Sequence, residues 1–219
     1  MFYEFIIKII QNFIESEMEM PERFLTSNDF RVINDKSIKI SKKFFARGLN
    51  DIRIDSMVVI EDDVILRGDL AKIQIGVGTI LDNAVVLHPC LSSISPPFDY
   101  KPLIIGSHCY IGQNTVCSAR TIGNYVYVGK NVIIGDRAEI GNNIKILDNS
   151  YVPPDVKLVD NSAYGGFPVR FLGEISEGFE NKLEDFCNNY YKKLIVSQTN
   201  YWFFMFGKIV ELCWILNLI

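Results

Sequence analysis

The chain has 219 residues, with 22 Lys and Arg against 26 Asp and Glu for a formal charge of −4, and it is 48% hydrophobic and 22% charged. That size suits one cored domain with tails, and the apolar fraction excludes a wholly disordered chain. Mild acidity, with a pI near 5.3 and no long basic run, removes the phosphate attraction on which nucleic-acid binding relies, so DNA and RNA are not expected partners.

Residues 1–27 form an N-terminal extension. Phe2, Phe5, Ile6, Ile9, Ile10 and Phe13 recur at helical spacing, then an acidic stretch leads to Pro21, which predicts an amphipathic helix and a break. Glu4 ahead of Lys8 and the lack of a small-residue cleavage site argue against a secretion signal. The five cysteines, Cys90, Cys109, Cys117, Cys187 and Cys213, are odd in number and contain no CxxC pair. They suit neither a disulfide framework nor a zinc ribbon, and the expected compartment is reducing and cytoplasmic.

Residues 28–172 are dominated by a repeat. Every sixth residue from Ile122 is aliphatic: Val128, Ile134, Ile140, Ile146, Val152 and Leu158. Ile75, Leu81 and Leu87 keep the same step, as do Ile105 and Ile111 after a loop containing CLSSISPPFDYKP. Four residues after each aliphatic comes a mostly small or β-branched residue, such as Thr79, Cys109, Thr115, Val126 and Ala138. Directly after it often comes glycine (Gly76, Gly106, Gly112, Gly123, Gly129, Gly135, Gly141), placed where a side chain would strain or collide. Two inward positions and a corner every six residues describe a mainly β protein, a coiling parallel β-helix. The sequence resembles the hexapeptide-repeat proteins, which implies a left-handed coil with three hexapeptides per turn.

Three hexapeptides per coil stack outward residues 17 or 18 apart, and three columns result. The first carries Val116, Ile133 and Tyr151, the second Tyr110, Tyr127 and Lys145, and the third Glu139 and Lys157. Apolar outer columns need a cover, so Tyr110, Val116, Tyr127, Ile133 and Tyr151 are expected to face either a helix of the chain or a partner. Residues 173–196 offer that helix, with Phe179, Leu183, Phe186, Tyr190 and Leu194 at three- and four-residue steps. Residues 197–219 are a hydrophobic extension interrupted by Lys208 and Glu211, read as a self-packing or partner-binding helix or a membrane-associated tail.

The two histidines are the candidates for chemistry. The segments VILRGDLAKIQIG and VVLHP resemble the gamma-type carbonic anhydrases, a family whose zinc is held by three histidines. The resemblance places His88 at the first ligand position and Gln113 and Ser118 at the other two, while His108 lies outside the set. An amide and a hydroxyl are poor substitutes for imidazole, so no metal and no cofactor are expected, although Gln113 and Cys117 could improvise a site. A hexapeptide acyltransferase is a further alternative. Arg67-Gly68-Asp69 reads as a turn glycine flanked by an ion pair.

Several segments together resemble the dynactin subunit 5 family: RVINDKSIKISKKFFARG, the SPPF loop, PLIIGSHCYI, KILDNSYVPPDVKLVDNSAYGG and NNYYKKL. The resemblance implies a cytoplasmic, cytoskeleton-associated, non-catalytic scaffold in the pointed-end complex of dynactin. Its implied partners are other subunits, including a second β-helical one, and its implied roles are assembly and cargo attachment in dynein-dependent transport along microtubules. The alternative is a divergent enzyme related to gamma-type carbonic anhydrases.

Overall fold

A computed structural model describes residues 30–33, 37–92 and 99–194. The expected helix over residues 1–27, the tip of the SPPF loop and the extension over 197–219 lie outside the described residues.

The repeat coils into a left-handed parallel β-helix with three sheets as the faces of a prism. The first face stacks Phe45–Arg47, Ile65–Arg67, Val86–Leu87, Val116–Cys117, Ile133–Ile134 and Tyr151–Val152. The second stacks Ile38–Ser41, Val59–Ile60, Ile80–Leu81, Tyr110–Ile111, Val126–Val128, Ile144–Ile146 and Ser162–Gly165. Only this sheet is closed among the described residues: Phe30–Ile33 and Arg170–Glu174 each pair antiparallel at one end. The third stacks Ile52–Ile54, Ile73–Ile75, Leu103–Ile105, Thr121–Ile122, Glu139–Ile140 and Lys157–Leu158.

The aliphatic and small-residue series both point inward. Leu81, Leu87, Ile111, Val128 and Val152 are fully buried, as are Thr79, Cys109, Thr115, Val126 and Ala138. Interior hydroxyls are satisfied by the next coil: Thr79 donates to the Gly106 carbonyl at 2.9 Å and Thr115 to the Gly129 carbonyl at 3.0 Å. A buried hydroxyl without such an acceptor would cost about 1–3 kcal/mol.

The corners divide two duties that the sequence reading assigned together to glycine. A Cβ on Gly112 would lie 2.5 Å from the Gly129 carbonyl oxygen, so this glycine serves close approach between coils. The left-handed backbone belongs instead to residues three after the aliphatic, among them Asn114 (φ 59°), Asn131 (φ 55°), Asn143 (φ 54°) and Asn149 (φ 57°). Asparagine tolerates that region because its short amide bonds locally. Here the amides also form a ladder, with Asn114 donating to Asn131 at 3.2 Å and Asn131 to Asn149 at 3.0 Å.

The β-helix extends further back than the six-residue count reached. Ile60 pairs with Leu81 and Leu66 with Leu87, 21 residues apart, because extra corner residues break the step. The Arg67 guanidinium donates to Asp69 at 2.8 and 3.0 Å, the ion pair expected at this turn. The C-terminal helix occupies 179–194 of the described residues and follows the Arg170–Glu174 strand.

Candidate functional site: three outer faces and a residual histidine

The predicted outer columns exist in register. Tyr110 pairs with Tyr127 and Tyr127 with Lys145; Val116 pairs with Ile133 and Ile133 with Tyr151; Glu139 pairs with Lys157. What the sequence left undivided, the structure sorts. Tyr110 and Tyr127 lie under the C-terminal helix, whereas Val116 and Ile133 are exposed on the first face and Tyr151, at its end, is half-buried against Phe167 at 4.9 Å.

The helix crosses the second face perpendicular to its strands. Sixteen residues at about 1.5 Å per residue span about 24 Å. Five strand steps at about 4.8 Å span the same distance. It runs back from the last coils to the first: Glu180 accepts from Asn143, Phe186 packs edge-on to Tyr110 at 5.3 Å, and the Tyr191 hydroxyl donates to the Ser37 carbonyl at 2.8 Å. Val59, Ile80, Tyr110, Phe179, Leu183, Phe186, Tyr190 and Leu194 form a second apolar cluster there, each fully buried side chain contributing about 1.5–3 kcal/mol.

Polar groups under the helix escaped the sequence reading. The Tyr110 hydroxyl donates to Asp82 at 2.7 Å and the Tyr190 hydroxyl to Glu61 at 3.0 Å, both acceptors lying in the corner between the second and first faces. Burial, with the carboxylates as acceptors, pushes both phenols well above their ordinary range. Lys39, only 3% exposed, donates to the Tyr191 carbonyl at 2.6 Å, and burial lowers its ammonium to about 8. Nothing in a local hexapeptide pattern marks these residues, because their partners are 28 to 152 positions away.

The third face is charged. Glu139 lies 3.6 Å from both Arg120 and Lys157, and Arg137 grips Asp155 at 2.6 and 2.7 Å while donating to the Leu91 carbonyl at 3.2 Å. These groups, with Cys90, Ser92 and Lys101, line a recess of about 360 Å³ beside the base of the SPPF loop. Arg137 thereby anchors that loop to the coil.

The histidine set does not assemble within one chain. His88 donates its backbone N–H to the Cys117 carbonyl at 2.9 Å, which sets it beside Ser118 at the corner between the first and third faces. Gln113 is exposed at the opposite corner, between the second and first faces. His108 stacks on Tyr125 at 5.5 Å at the remaining corner. One imidazole, an amide and a hydroxyl do not fit a catalytic zinc, which takes three strong protein donors. Among the described residues, no group of three or more His, Cys, Asp and Glu could hold a metal.

Cys117 is buried in the core, and desolvation pushes its thiol to about 12, so the improvised Gln113–Cys117 site is corrected: the thiol is a packing group. The Nδ1 of His88 is buried without a hydrogen-bond partner, and its ring packs edge-on to Tyr100 at 5.9 Å. No described helix is long and apolar enough to cross a membrane.

The family model for dynactin subunit 5 matches residues 18–199. Dynactin subunit 5 of Dictyostelium discoideum is 33% identical over 104 residues, covering 48% of this chain and 52% of that protein. The chain thus spans about half the length of that relative. Mitochondrial gamma carbonic anhydrase 1 of Arabidopsis thaliana is 22% identical over 167 residues, covering 76% of this chain and 59% of that protein. Among solved structures, AntD, an N-acyltransferase from Bacillus cereus in complex with dTDP and 3-hydroxybutyryl-CoA, superposes with a TM-score of 0.57 at 19% identity, over 70% of this chain and 88% of that one. That likeness shows the shared coil. With the family model matching well over half of the sequence, the chain belongs to the dynactin subunit 5 family.

Proposed function

We propose that this protein is a non-catalytic structural subunit of a dynactin-like pointed-end complex, supporting dynein-dependent transport along microtubules through subunit assembly and cargo attachment. The family match over residues 18–199 carries the reading. A rigid prism suits it physically: each coil is locked to the next by backbone bonds, and its faces and strand edges offer flat surfaces to other subunits, a second β-helical chain among them. It works in the cytoplasm on the cytoskeleton. The test is purification of the tagged full chain from native extract, with identification of co-purifying proteins. Stoichiometric recovery of the other pointed-end subunits is expected, and an intact dynactin that lacks this chain would refute the reading.

A second reading, a divergent carbonic-anhydrase-like enzyme, is favoured by the Arabidopsis relative and by the unpartnered Nδ1 of His88. Metal content and CO2 hydration separate the two. The scaffold reading expects neither bound zinc nor activity; stoichiometric zinc that disappears in His88→Ala would replace it with the enzyme.

A further inference from the structure

The first face is an apolar column with no cover among the described residues. Register places Phe45, Ile65, Val86, Val116, Ile133 and Tyr151 in one line, one outward residue on each of six strands. Phe45 is 71% exposed, Ile65 39%, Val116 40% and Ile133 47%. Phe167, 74% exposed, packs on Tyr151 at 4.9 Å and prolongs the line by about one step. The second face differs: its helix is oriented by a polar edge, where Glu61, Asp82 and Lys39 bond to Tyr190, Tyr110 and Tyr191. The first column carries no charged group to fix the direction of a crossing helix, and a flat apolar surface is its complement.

Read along the prism, the column runs Phe, Ile, Val, Val, Ile, Tyr, the same from either end apart from one hydroxyl. A two-fold axis lying in the face, across the prism between Val86 and Val116, sets Phe45 of one copy against Tyr151 of the other, Ile65 against Ile133 and Val86 against Val116. Such self-complementarity is what an isologous contact requires. Among the described residues Phe167 and Phe45 are the most exposed large apolar side chains, and this arrangement covers both at the same end of the contact.

The rims choose the direction. With the prisms antiparallel, each rim meets its own counterpart reversed, so Arg47 on the first coil faces the sixth coil of the other copy, which carries Asp155. On the opposite rim Asn149 and Asn131 face the coils of Lys43 and Asp63, and an amide bonds either charge. Parallel prisms would instead set Arg47 against Lys43, and like charges opposed across a contact disfavour it. Five strand steps and the Phe167 ring give the face a length of about 29 Å, and six residues from corner to corner a width of about 20 Å. Pairing therefore buries about 600 Å² on each copy, about 1,200 Å² in all, the lower end of what a specific dimer needs.

We infer that the first face pairs with the first face of a second copy of this chain, antiparallel, about a two-fold axis between Val86 and Val116. The contact is closed, because once both columns are covered neither copy has a bare column left for a third. The pairing does not rest on the dynactin reading, and each is tested separately.

Sedimentation of the full chain over the micromolar range should show a monomer in exchange with a dimer. Ile133→Asp, which opposes a charge to Ile65 of the other copy, should leave a monomer with unchanged far-UV circular dichroism. The register is read by cross-linking on a Cys213→Ser background, Cys90, Cys109, Cys117 and Cys187 being buried. Facing sheets lie about 10 Å apart, beyond the reach of a disulfide, so the probe is a short bismaleimide. Ile65→Cys mixed with Ile133→Cys should link at least about tenfold faster than either variant alone, because positions 65 and 133 lie opposite each other while like positions are offset by three strand steps, about 14 Å. A chain that stays monomeric throughout the range overturns the inference, as does a dimer in which each variant alone links as fast as the mixture. Capture of position 133 by a different protein in native extract, with the pure chain monomeric, assigns the face to another subunit and equally overturns it.

Discussion

Gly112→Ala tests the stacking on which every face depends. Gly112 has no left-handed backbone requirement, so in the folded state its replacement adds only a contact, against a gain of about 0.4–1 kcal/mol from the stiffer unfolded chain. The new methyl would lie 2.5 Å from the Gly129 oxygen, 2.6 Å from the Gly129 carbonyl carbon and 2.9 Å from the Val128 oxygen, all of them backbone atoms of the next coil. Ordinary contact begins at 3.4 Å, so the two coils must part locally by several tenths of an ångström. The Gly112 N–H bond to the Val128 carbonyl, now 2.9 Å, lies in the path of that separation.

Overpacking of this kind costs about 1–3 kcal/mol, and a weakened ladder bond adds about 1 kcal/mol. The expected net loss is about 1–3.5 kcal/mol, equivalent to a fall in Tm of about 2–14 °C for a chain of this size. Urea unfolding followed by far-UV circular dichroism measures it, provided that the slope is unchanged. Gly178→Ala is the control: that residue has φ 83° and no atom within 4 Å of the added carbon, so only the backbone cost of about 1–2 kcal/mol applies. A loss below about 0.5 kcal/mol for Gly112→Ala would refute the claim that glycine is required there by close approach.

Phe186→Ala should cost about 3–5 kcal/mol by opening a cavity between the helix and the two tyrosines, and calorimetry of the full chain reads it. Tyr110→Phe should cost about 1–3 kcal/mol because the buried Asp82 loses a hydroxyl donor; a neutral result would mean that water replaces it. Lys39 has a folded-state value near 8 against 10.5 in the open chain, so between those pH values the unfolded state binds more protons and Lys39-linked stability rises with pH. Wild type should gain about 1–3 kcal/mol relative to Lys39→Met from pH 8 to 10.5, the bond to Tyr191 holding the gain below its ceiling. A flat difference across that window would contradict the burial of the ammonium.

The central coils were legible because their corners contain no extra residues: from Ile122 onward, six residues always return the chain to the same side of the prism. The first coils were not. Residues added around Gly48 and Gly68–Lys72 shift the pairing to 20 or 21 residues, so Phe45 and Ile65 could not be counted into the column of Val116. The position of the covering helix was also beyond local pattern, since both Tyr110 and Ile133 are aromatic or aliphatic outward residues. What separates them is the polar edge of the second face, where Lys39, Glu61 and Asp82 meet Tyr191, Tyr190 and Tyr110 across long sequence distances. The mismatch at Gln113 and Ser118 was readable residue by residue, but their placement at opposite corners required the fold.

The two antiparallel strands at the ends of the prism have a consequence for growth. Among the described residues, Phe30–Ile33 and Arg170–Glu174 seal one sheet, Gly166 and Val169 bond both backbone groups of Tyr151 at the end of another, and the strands at Phe45–Arg47, Ile52–Ile54 and Lys157–Leu158 have no outer neighbour. Each end is therefore a step rather than a plane, with a raised ledge along at least one side of the triangle. Two identical prisms brought tip to tail meet ledge against ledge and cannot continue all three ladders at once, which disfavours growth into a fibre; among the described residues two short edges stay open at the first coil and one, Lys157–Leu158, at the last.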